Sequence, residues 1–380
     1  MSLPQKRGRS VCSDQETSSD VKPGSGNDGP FVVIAIVSTN DIHNILGCLT
    51  SLTASTHRNF WIVICENGGP EAFDRARKSL AEADFIHEHK VQRRDVSSVG
   101  WTQGHVDFYL AEGRQPVTLL KSARNLGYAG GVNACITAAA NTPWDAVWVL
   151  NPDTFPEPEA LAALVRHQKE GNYGMVGSRL VFVASGLVQA WGGWRWFPLL
   201  GEGRPLGYKQ PADTIPNIAD IERRMAFISG ASMYVTRAYV ETIGRMDEEF
   251  FVYNEDVDWC QRRGAFRLGY AHDSLVRHIH GATAGASSTH KPSRSRFNTY
   301  LTERNRILLA RKRFGAKWPL FAAIAFLLQT SEHLVRVRSF RQFSFAVEGW
   351  WAGVRGETGA PGFMRSATAP DISQFFERKI

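Results

Sequence analysis

The sequence predicts an α/β fold with a mostly parallel central sheet, followed by a helical C-terminal region. Three observations support this prediction. Short runs of β-branched and apolar residues alternate with helical patterns between residues 31 and 150. Each run is apolar throughout, which is typical of strands buried on both faces of a parallel sheet. After residue 296 the pattern becomes helical, with segments predicted at 299–313 and 318–338.

The first predicted strand, 31–37, is a continuous β-branched run, and a helical pattern follows it as far as Leu52. Five more strands are predicted further along the chain, at 61–65, 117–120, 146–150, 174–182 and 227–236. Between the last two, the aromatic and glycine-rich segment 191–198 is predicted to be a loop. Such a loop either grips a flat ligand, such as a sugar ring, or forms a buried aromatic cluster.

The composition predicts a folded chain with an N-terminal tail. The 380 residues are 43% apolar and 21% charged, which excludes a disordered or fibrous protein. Residues 1–29 are poor in apolar residues and are predicted to be disordered, without the apolar core of a secretory signal. Residues 30–290 are expected to form the catalytic domain and 291–380 a basic helical region. Five scattered cysteines fit a reduced, cytosolic setting.

The positive charge is concentrated near the C-terminus. Residues 291–345 contain twelve Lys and Arg against two acids, a surplus of ten in a chain whose net charge is +7. This predicts a local basic face and argues against a chain built throughout for nucleic acid. The apolar run 318–328 has eleven residues, against about 20 needed to cross a bilayer. Flanked by bases, it is predicted either to lie on an anionic membrane or to pack internally.

Polar residues follow each of the first four predicted strands, at 38–41, 66–68, 124–133 and 151–153. In open α/β sheets, ligands bind beyond the carboxyl ends of the strands, so this edge is the expected site. A dinucleotide-binding fold is disfavoured, because the turn after the first strand contains no glycine, and no P-loop motif occurs. The glycines of 124–133 either let the backbone approach a phosphate or serve only tight turns.

Two segments nearer the C-terminus carry further candidate chemistry. Six acids lie among aromatic residues within the twelve residues 247–258. They indicate either a partly desolvated carboxylate with the raised pKa of a general base, or the acidic first turn of a helix. Next come His278 and His280, which would share a face of a strand. Such a pair is either structural or metal-binding.

Taken in order, these segments resemble family 2 glycosyltransferases of the GT-A fold, especially bacterial rhamnosyltransferase-like members. The resemblance covers about residues 31–285 and extends to ERNR at 303–306 and GVRGETG at 353–359. Its motifs are TN at 39–40, ENG at 66–68, NLGYAGGVN at 125–133, NPD at 151–153, GASM at 230–233, MDEEFFVYNEDVDWCQR at 246–262 and HIHG at 278–281.

The resemblance implies a role for each matching residue. Asp256 corresponds to the catalytic base, flanked by Glu255 and Asp258, which would position the acceptor and the base. Asp153 and His278 would bind Mg²⁺ or Mn²⁺, with His280 as the alternative ligand. The residues implied in nucleotide-sugar binding are Thr39, Asn40, Glu66, Asn67, Asn125, Gly127, Gly130, Gly131, Asn133 and Asn151. Glu66 replaces the family's Asp, and Asn151 replaces the first acid of the DxD motif.

The implied activity is an inverting, metal-dependent transfer of a sugar from a nucleoside-diphosphate sugar. Rhamnose is the first candidate, and the acceptor would be a saccharide or a polyprenyl-linked saccharide in cell-surface polysaccharide biosynthesis. The alternatives are a non-catalytic nucleotide-sugar-binding relative and a nucleotidyltransferase. The expected location is cytoplasmic, peripheral on the inner face of the cell membrane, with no nucleic-acid partner.

Overall fold

The computed structural model describes residues 29–88, 102–111, 115–198, 200–279 and 295–365. The predicted disordered segment 1–29 therefore lies outside the described residues, apart from its last residue. His280 also lies outside them. The divisions at residues 29 and 290 stay predictions.

The strands of the described residues are β1 Val32–Ser38, β2 Phe60–Glu66, β3 Ile86–Glu88, β4 Thr102–Leu110, β5 Pro116–Ser122, β6 Ala146–Leu150, β7 Thr154–Pro156, β8 Met175–Phe182, β9 Val188–Trp191, β10 Gly193–Phe197, β11 Glu202–Pro205, β12 Phe227–Ile228, β13 Ser232–Thr236 and β14 Leu268–His278. The helices are α1 Ile42–Thr53, α2 Pro70–Ala81, α3 Gly127–Ala138, α4 Ala160–Gly171, α5 Ile218–Arg224, α6 Arg237–Ile243, α7 Glu255–Gln261, α8 Arg296–Arg313, α9 Trp318–Thr330, α10 Phe340–Arg355 and α11 Gly362–Arg365.

The central sheet has eleven strands among the described residues, in the order β3-β4-β5-β2-β1-β6-β13-β8-β14-β7, with β9 paired to β8. The four strands β5, β2, β1 and β6 run parallel, as do β8 and β14. Strand β1 is buried along its whole length, because helices cover both faces of a parallel sheet. The prediction of an α/β fold with a mostly parallel sheet and C-terminal helices is confirmed.

The predicted loop at 191–198 is wrong in its secondary structure. It contains the end of β9 and all of β10, and β10 joins β11 and β12 in a second, three-stranded sheet. Gly193 permits this pairing, since a Cβ there would overlap the carbonyl of Phe227. The predicted strand 227–236 is likewise interrupted between β12 and β13. The predicted helix 318–338 changes after α9 into a π-helical segment, Ser331–Arg336.

Several bases of helix α8 contact acidic or carbonyl groups of the protein. Lys312 Nζ lies 2.8 Å from a carboxylate oxygen of Asp247, and Arg313 lies 2.8 Å from Asp258. Arg304 is completely buried. The expectation of a basic outer face is therefore wrong for Arg304, whereas Lys312 stays exposed while it pairs with the acidic segment 247–258.

Arg304 and its neighbour Asn305 hold the loop that leads into α7. Asn305 Nδ2 lies within hydrogen-bonding distance of three carbonyl oxygens, those of Phe250 (2.9 Å), Val252 (2.7 Å) and Tyr253 (2.7 Å). Arg304 also donates to the Phe250 carbonyl, at 2.9 Å. We call Arg304 and Asn305 the carbonyl clamp.

The clamped loop has an unusual backbone. Phe251, Tyr253 and Asn254 all have positive φ values, of 66°, 73° and 69°. Residues other than glycine rarely adopt this left-handed conformation, and the surrounding structure must stabilise it. The clamp supplies that stabilisation immediately before Glu255 and Asp256.

Within the described ranges, no helix is both long enough and apolar enough to cross a bilayer. In α9 one face is buried against α8 and α10, through Phe321, Ala322 and Ala325.

Replacing Asn305 with Ala should destabilise the protein by about 2–4 kcal/mol, because several buried carbonyl oxygens lose their donor. Urea unfolding followed by circular dichroism measures this. The control Asn141→Ala changes an exposed turn residue and should shift stability by no more than about 0.5 kcal/mol. Equal stability of the two variants would show that the clamp does not hold the loop.

Candidate active site

The carboxyl ends of the central parallel strands place the predicted polar segments at one edge of the sheet. In the parallel register Ser38 pairs with Glu66, and Ile36 pairs with Leu150. The segments that begin at 38, 66 and 151 therefore emerge side by side. This is the edge at which open α/β sheets bind ligands.

Glu66 is 1% exposed and joins the ends of β1 and β2. Its Oε2 accepts a hydrogen bond from the Ser38 hydroxyl at 2.7 Å. Its Oε1 accepts from the backbone N–H groups of Asn40 (2.9 Å) and Gly68 (2.7 Å). The carboxylate thus shapes both loops. Among its neighbours, Thr39 is half-buried, whereas the exposed Asn40 side chain accepts hydrogen bonds from Arg75.

The glycine turn after β5 is held by two asparagines. Asn67 Nδ2 donates to the Gly127 carbonyl at 2.9 Å, and Asn125 Oδ1 accepts from the Gly127 N–H at 2.8 Å. The next N–H, of Tyr128, donates to the carbonyl of Phe251 at 2.7 Å. Gly127 has φ of 72°, and a Cβ there would overlap that carbonyl. The start of α3 therefore binds the clamped loop, where phosphate binding was one expectation.

The other predicted members of this turn make packing contacts. A Cβ on Gly131 would lie 2.6 Å from Val37 Cγ1, and a Cβ on Gly130 would lie 2.8 Å from Leu126 Cβ. Asn133 Nδ2 donates to the Met246 carbonyl at 2.9 Å. These contacts explain the residue types structurally, and their contact with a nucleotide stays a prediction.

Asp153 and His278 meet in the interior. Asp153 is 1% exposed, and its Oδ1 lies 3.2 Å from His278 Nε2. The other ring nitrogen, Nδ1, lies 2.8 Å from Oε1 of Gln189. In the tautomer whose Nδ1–H donates to this amide oxygen, the Nε2 lone pair faces the carboxylate, as in a pair of metal ligands.

This arrangement fits a divalent metal. Asp153 Oδ1 is a buried oxygen that has no hydrogen-bond partner among the described residues, and imidazole with carboxylate suits Mn²⁺ and Mg²⁺. In the part of the chain that the structure describes, no cluster of three or more His, Cys, Asp or Glu side chains could hold a metal. Two protein ligands would therefore leave positions for phosphate oxygens and water.

Tyr128 connects the NPD motif at 151–153 to the acidic segment 247–258. Its hydroxyl lies 3.0 Å from Asn151 Oδ1 and 2.7 Å from the Gly230 carbonyl. The Gly230 N–H in turn donates to Asp256 Oδ2 at 3.3 Å. Burial, with Glu255 and Asp256 nearby, raises the pKa of Tyr128, so that it stays a hydroxyl donor. The structure thus links Asn151 to Asp256 through Tyr128 and the backbone of Gly230.

Two adjacent acids begin α7, Glu255, which is buried, and Asp256, which is half-buried. Burial, and to a smaller extent the charge of Asp256, raises the pKa of Glu255 well above 4.5. Burial also raises the pKa of Asp256 from 3.8, although N–H donors from Val257 and Gly230 oppose the shift. Among the described residues, Glu255 Oε2 has no hydrogen-bond partner. A carboxylate with a raised pKa accepts a proton more readily, as a general base must.

Asp258 is placed differently from the other two acids of the motif. It is 1% exposed, with Oδ2 2.6 Å from Arg262 Nε and Oδ1 2.8 Å from Arg313. Both carboxylate oxygens are therefore bound to arginine. Asp258 anchors α7 to α8, and any effect on the acceptor would act through that anchoring.

Sequence reasoning assigned no role to Tyr128, Gln189 or the carbonyl clamp. Tyr128 lies within the quoted glycine motif, and the clamp lies within ERNR at 303–306, so both had a signal. Gln189 had none, because it reaches His278 only through the pairing of β9 with β8. Asp41 was also unassigned. It has a buried, unpartnered Oδ2, and burial raises its pKa.

Part of the chain matches a known protein family. Residues 95–229 match the family described as Glycosyl transferase family 2. The chain is 24% identical over 208 residues to the low-salt glycan biosynthesis hexosyltransferase Agl10 of Haloferax volcanii, covering 52% of this chain and 61% of that protein. It is 28% identical over 172 residues to N-acetylglucosaminyl-diphospho-decaprenol L-rhamnosyltransferase of Mycobacterium tuberculosis, covering 39% and 53%. The chain thus spans between half and two thirds of these relatives.

Among solved structures, the fold resembles GalNAc-T7 with UDP, GalNAc and Mn²⁺. The TM-score is 0.52 at 12% identity, and the likeness covers 92% of this chain and 59% of that one. The matched family segment includes the glycine turn and Asp153, whereas Glu66, Asp256 and His278 lie outside it. The family match thus covers a segment of about a third of the chain, residues 95–229, and the architecture has the GT-A fold.

Proposed function

We propose that the protein is an inverting, metal-dependent glycosyltransferase that uses a nucleoside-diphosphate sugar. The observation that carries this proposal is the link from Asn151 through Tyr128 and Gly230 to Asp256. It joins the edge expected to bind the donor to the half-buried carboxylate of Asp256, whose pKa is raised. A transferase needs these two features side by side.

In the proposed reaction, Asp256 removes the proton from an acceptor hydroxyl. That oxygen bonds to the anomeric carbon as the bond from this carbon to the diphosphate breaks, and the diphosphate leaves with the electron pair. One displacement inverts the anomeric configuration. A general base of this kind contributes about 10²–10⁴ in rate.

Asp153 and His278 would hold the divalent cation. When bound, this cation supplies positive charge that stabilises the leaving diphosphate. Gln189 would keep the His278 ring oriented, with Nε2 toward the metal position. Glu66 and Asn67, which shape the loops at the strand ends, would present the nucleoside pocket.

The names of the relatives suggest the substrates. One is a hexosyltransferase, and the other is a rhamnosyltransferase whose name specifies N-acetylglucosaminyl-diphospho-decaprenol. We propose a hexose or deoxyhexose donor, with dTDP-rhamnose the first to test, and a polyprenyl-linked saccharide acceptor. Incubation with a panel of nucleotide sugars separates three classes of protein: free nucleoside diphosphate indicates transfer, pyrophosphate indicates nucleotidyl transfer, and binding without release indicates a non-catalytic relative.

A membrane surface is part of this proposal. The outer face of α9 and the following segment exposes Leu320 (67%), Leu327 (68%) and Val335 (69%). We call this face the leucine stripe. The exposed bases Lys317 and Arg338 border it. Exposed apolar side chains beside bases favour the interface of an anionic bilayer, which also contains the proposed acceptor.

Replacing Asp256 with Asn should lower turnover by at least about a hundredfold while preserving donor affinity, because the variant cannot accept the proton. In the unsubstituted protein, the rate should fall as the pH is lowered through the raised pKa of Asp256, above 3.8, as the base becomes protonated. Initial rates and donor titration measure both effects. Asp84→Asn, at an exposed position, serves as the control. Near-normal turnover in Asp256→Asn would rule out Asp256 as the base.

A chelator should abolish transfer, and Mg²⁺ or Mn²⁺ should restore it. Asp153→Asn should not regain activity with either ion, since its side chain is a much poorer ligand. Metal binding by calorimetry provides a second measurement. Asp273→Asn, an exposed carboxylate on the same strand as His278, should behave like the unsubstituted protein. Full activity in excess chelator would contradict the assignment of Asp153.

The protein should float with anionic vesicles and not with neutral ones, and salt should weaken the binding. The double variant Leu320→Ser, Leu327→Ser should bind at least about tenfold more weakly, because two apolar side chains no longer enter the interface. Ile215→Ser, which removes an exposed apolar residue elsewhere, is the matched control. Failure to float with anionic lipid at low salt would end the membrane proposal.

A further inference from the structure

A large cavity lies between the catalytic acids and the C-terminal helices. Its volume is about 1010 Å³. One wall comes from β10 and β12, another from α8, and a third from the end of α9 with the π-helical segment. Glu255 and Asp256 lie among the lining residues. A molecule in this cavity would therefore contact the proposed base from the side of the C-terminal helices.

Gln329 is an unpartnered polar group in the cavity wall. It is 2% exposed, and in the described part of the chain neither its Oε1 nor its Nε2 has a hydrogen-bond partner. The same holds for two further buried atoms of the lining, Arg306 Nε and Glu255 Oε2. Buried polar atoms are normally paired, so these atoms point to a polar ligand. An amide with an open donor and an open acceptor matches hydroxyl groups, which both donate and accept.

The charge of the described lining disfavours an anionic occupant. Among the residues that the structure describes, the lining contains one arginine, Arg306, and five acidic residues, Glu202, Glu255, Asp256, Glu303 and Glu332. Arg306 is already paired, at 3.2 Å with Glu303 and 3.3 Å with Glu202. A phosphate would meet an excess of carboxylates, whereas a neutral polyol would meet hydrogen-bonding groups. The diphosphate of a donor or of a lipid-linked acceptor belongs outside this cavity.

The aromatic side chains of the wall suit a sugar ring. Trp194 and Trp196 are both half-buried and line the cavity. Phe227 supports them, stacked on Trp194 with ring centroids 5.9 Å apart and edge-on to Trp196 at the same distance. Such a packed aromatic wall presents a rigid apolar surface beside polar groups, as saccharide binding requires.

We propose that this cavity binds the acceptor through a neutral saccharide unit, with Gln329 hydrogen-bonding its hydroxyl groups and Trp196 packing against a ring. The inference rests on the proposed function in that the bound saccharide would present its hydroxyl to Asp256. Leu328 lines the cavity and is 37% exposed next to the leucine stripe. A lipid attached to the saccharide would leave the cavity on that side.

The test uses an array of neutral oligosaccharides together with phosphorylated ones, without any nucleotide sugar. The protein should bind a subset of the neutral members and none of the phosphorylated ones. Gln329→Leu keeps the side-chain size and removes the unpartnered atoms, so the variant should fold at least as stably while binding the same saccharides at least about tenfold more weakly. Trp196→Leu should weaken binding similarly. Gln210→Leu, at an exposed position outside the cavity, should bind normally.

Undiminished saccharide binding by Gln329→Leu and Trp196→Leu, or no binding to any neutral member, would overturn the inference. A separate assay of nucleoside diphosphate release keeps it distinct from the proposed function. Saccharide binding that Gln329→Leu weakens, without diphosphate release from any donor, would leave the cavity site intact and contradict the transferase. Normal transfer with an unchanged acceptor KM in Gln329→Leu would support the transferase and contradict the cavity site.

Discussion

The carbonyl clamp is the interaction on which the candidate site depends. Asn305 and Arg304 hold the carbonyl groups of a loop that has three left-handed residues other than glycine. The loop then begins α7 with Glu255 and Asp256, and its Phe251 carbonyl accepts from the start of α3. Hydrogen bonds to the carbonyl groups of this loop therefore join the C-terminal helices, the glycine turn and the proposed base. Strained backbone of this kind persists only where the surroundings hold it.

Buried backbone groups need hydrogen-bond partners, and this explains why many residues expected to touch a ligand contact the protein itself. Glu66, Asn67 and Asn125 satisfy backbone groups at the strand ends, which would otherwise be buried without partners. These residues fix the shape of the edge. Direct contacts with a donor would fall to groups that remain open, above all Asp153 Oδ1.

The acids of the segment 247–258 differ in whether a base neutralises them. Lys312 and Arg313 neutralise acids of the segment 247–258, and Asp258 is bound between two arginines. Within the described ranges, no base lies within hydrogen-bonding range of Glu255 or Asp256, and burial raises the pKa of both. Neighbouring acids in one motif therefore have distinct roles: Asp258 is ion-paired and structural, whereas Glu255 and Asp256 line a cavity and are suited to exchange a proton.

The parallel strands were predictable from the sequence, because buried strands are continuous apolar runs, and the polar residues that follow each strand indicated the edge of the candidate site. The pairing of polar side chains was not predictable, since it depends on contacts between distant segments, such as Gln189 with His278. The same holds for the burial of Arg304 in α8 and for the position of Gln329 and Trp196 on one cavity. The composition gives the number of charged and aromatic residues, but packing decides which way each side chain points.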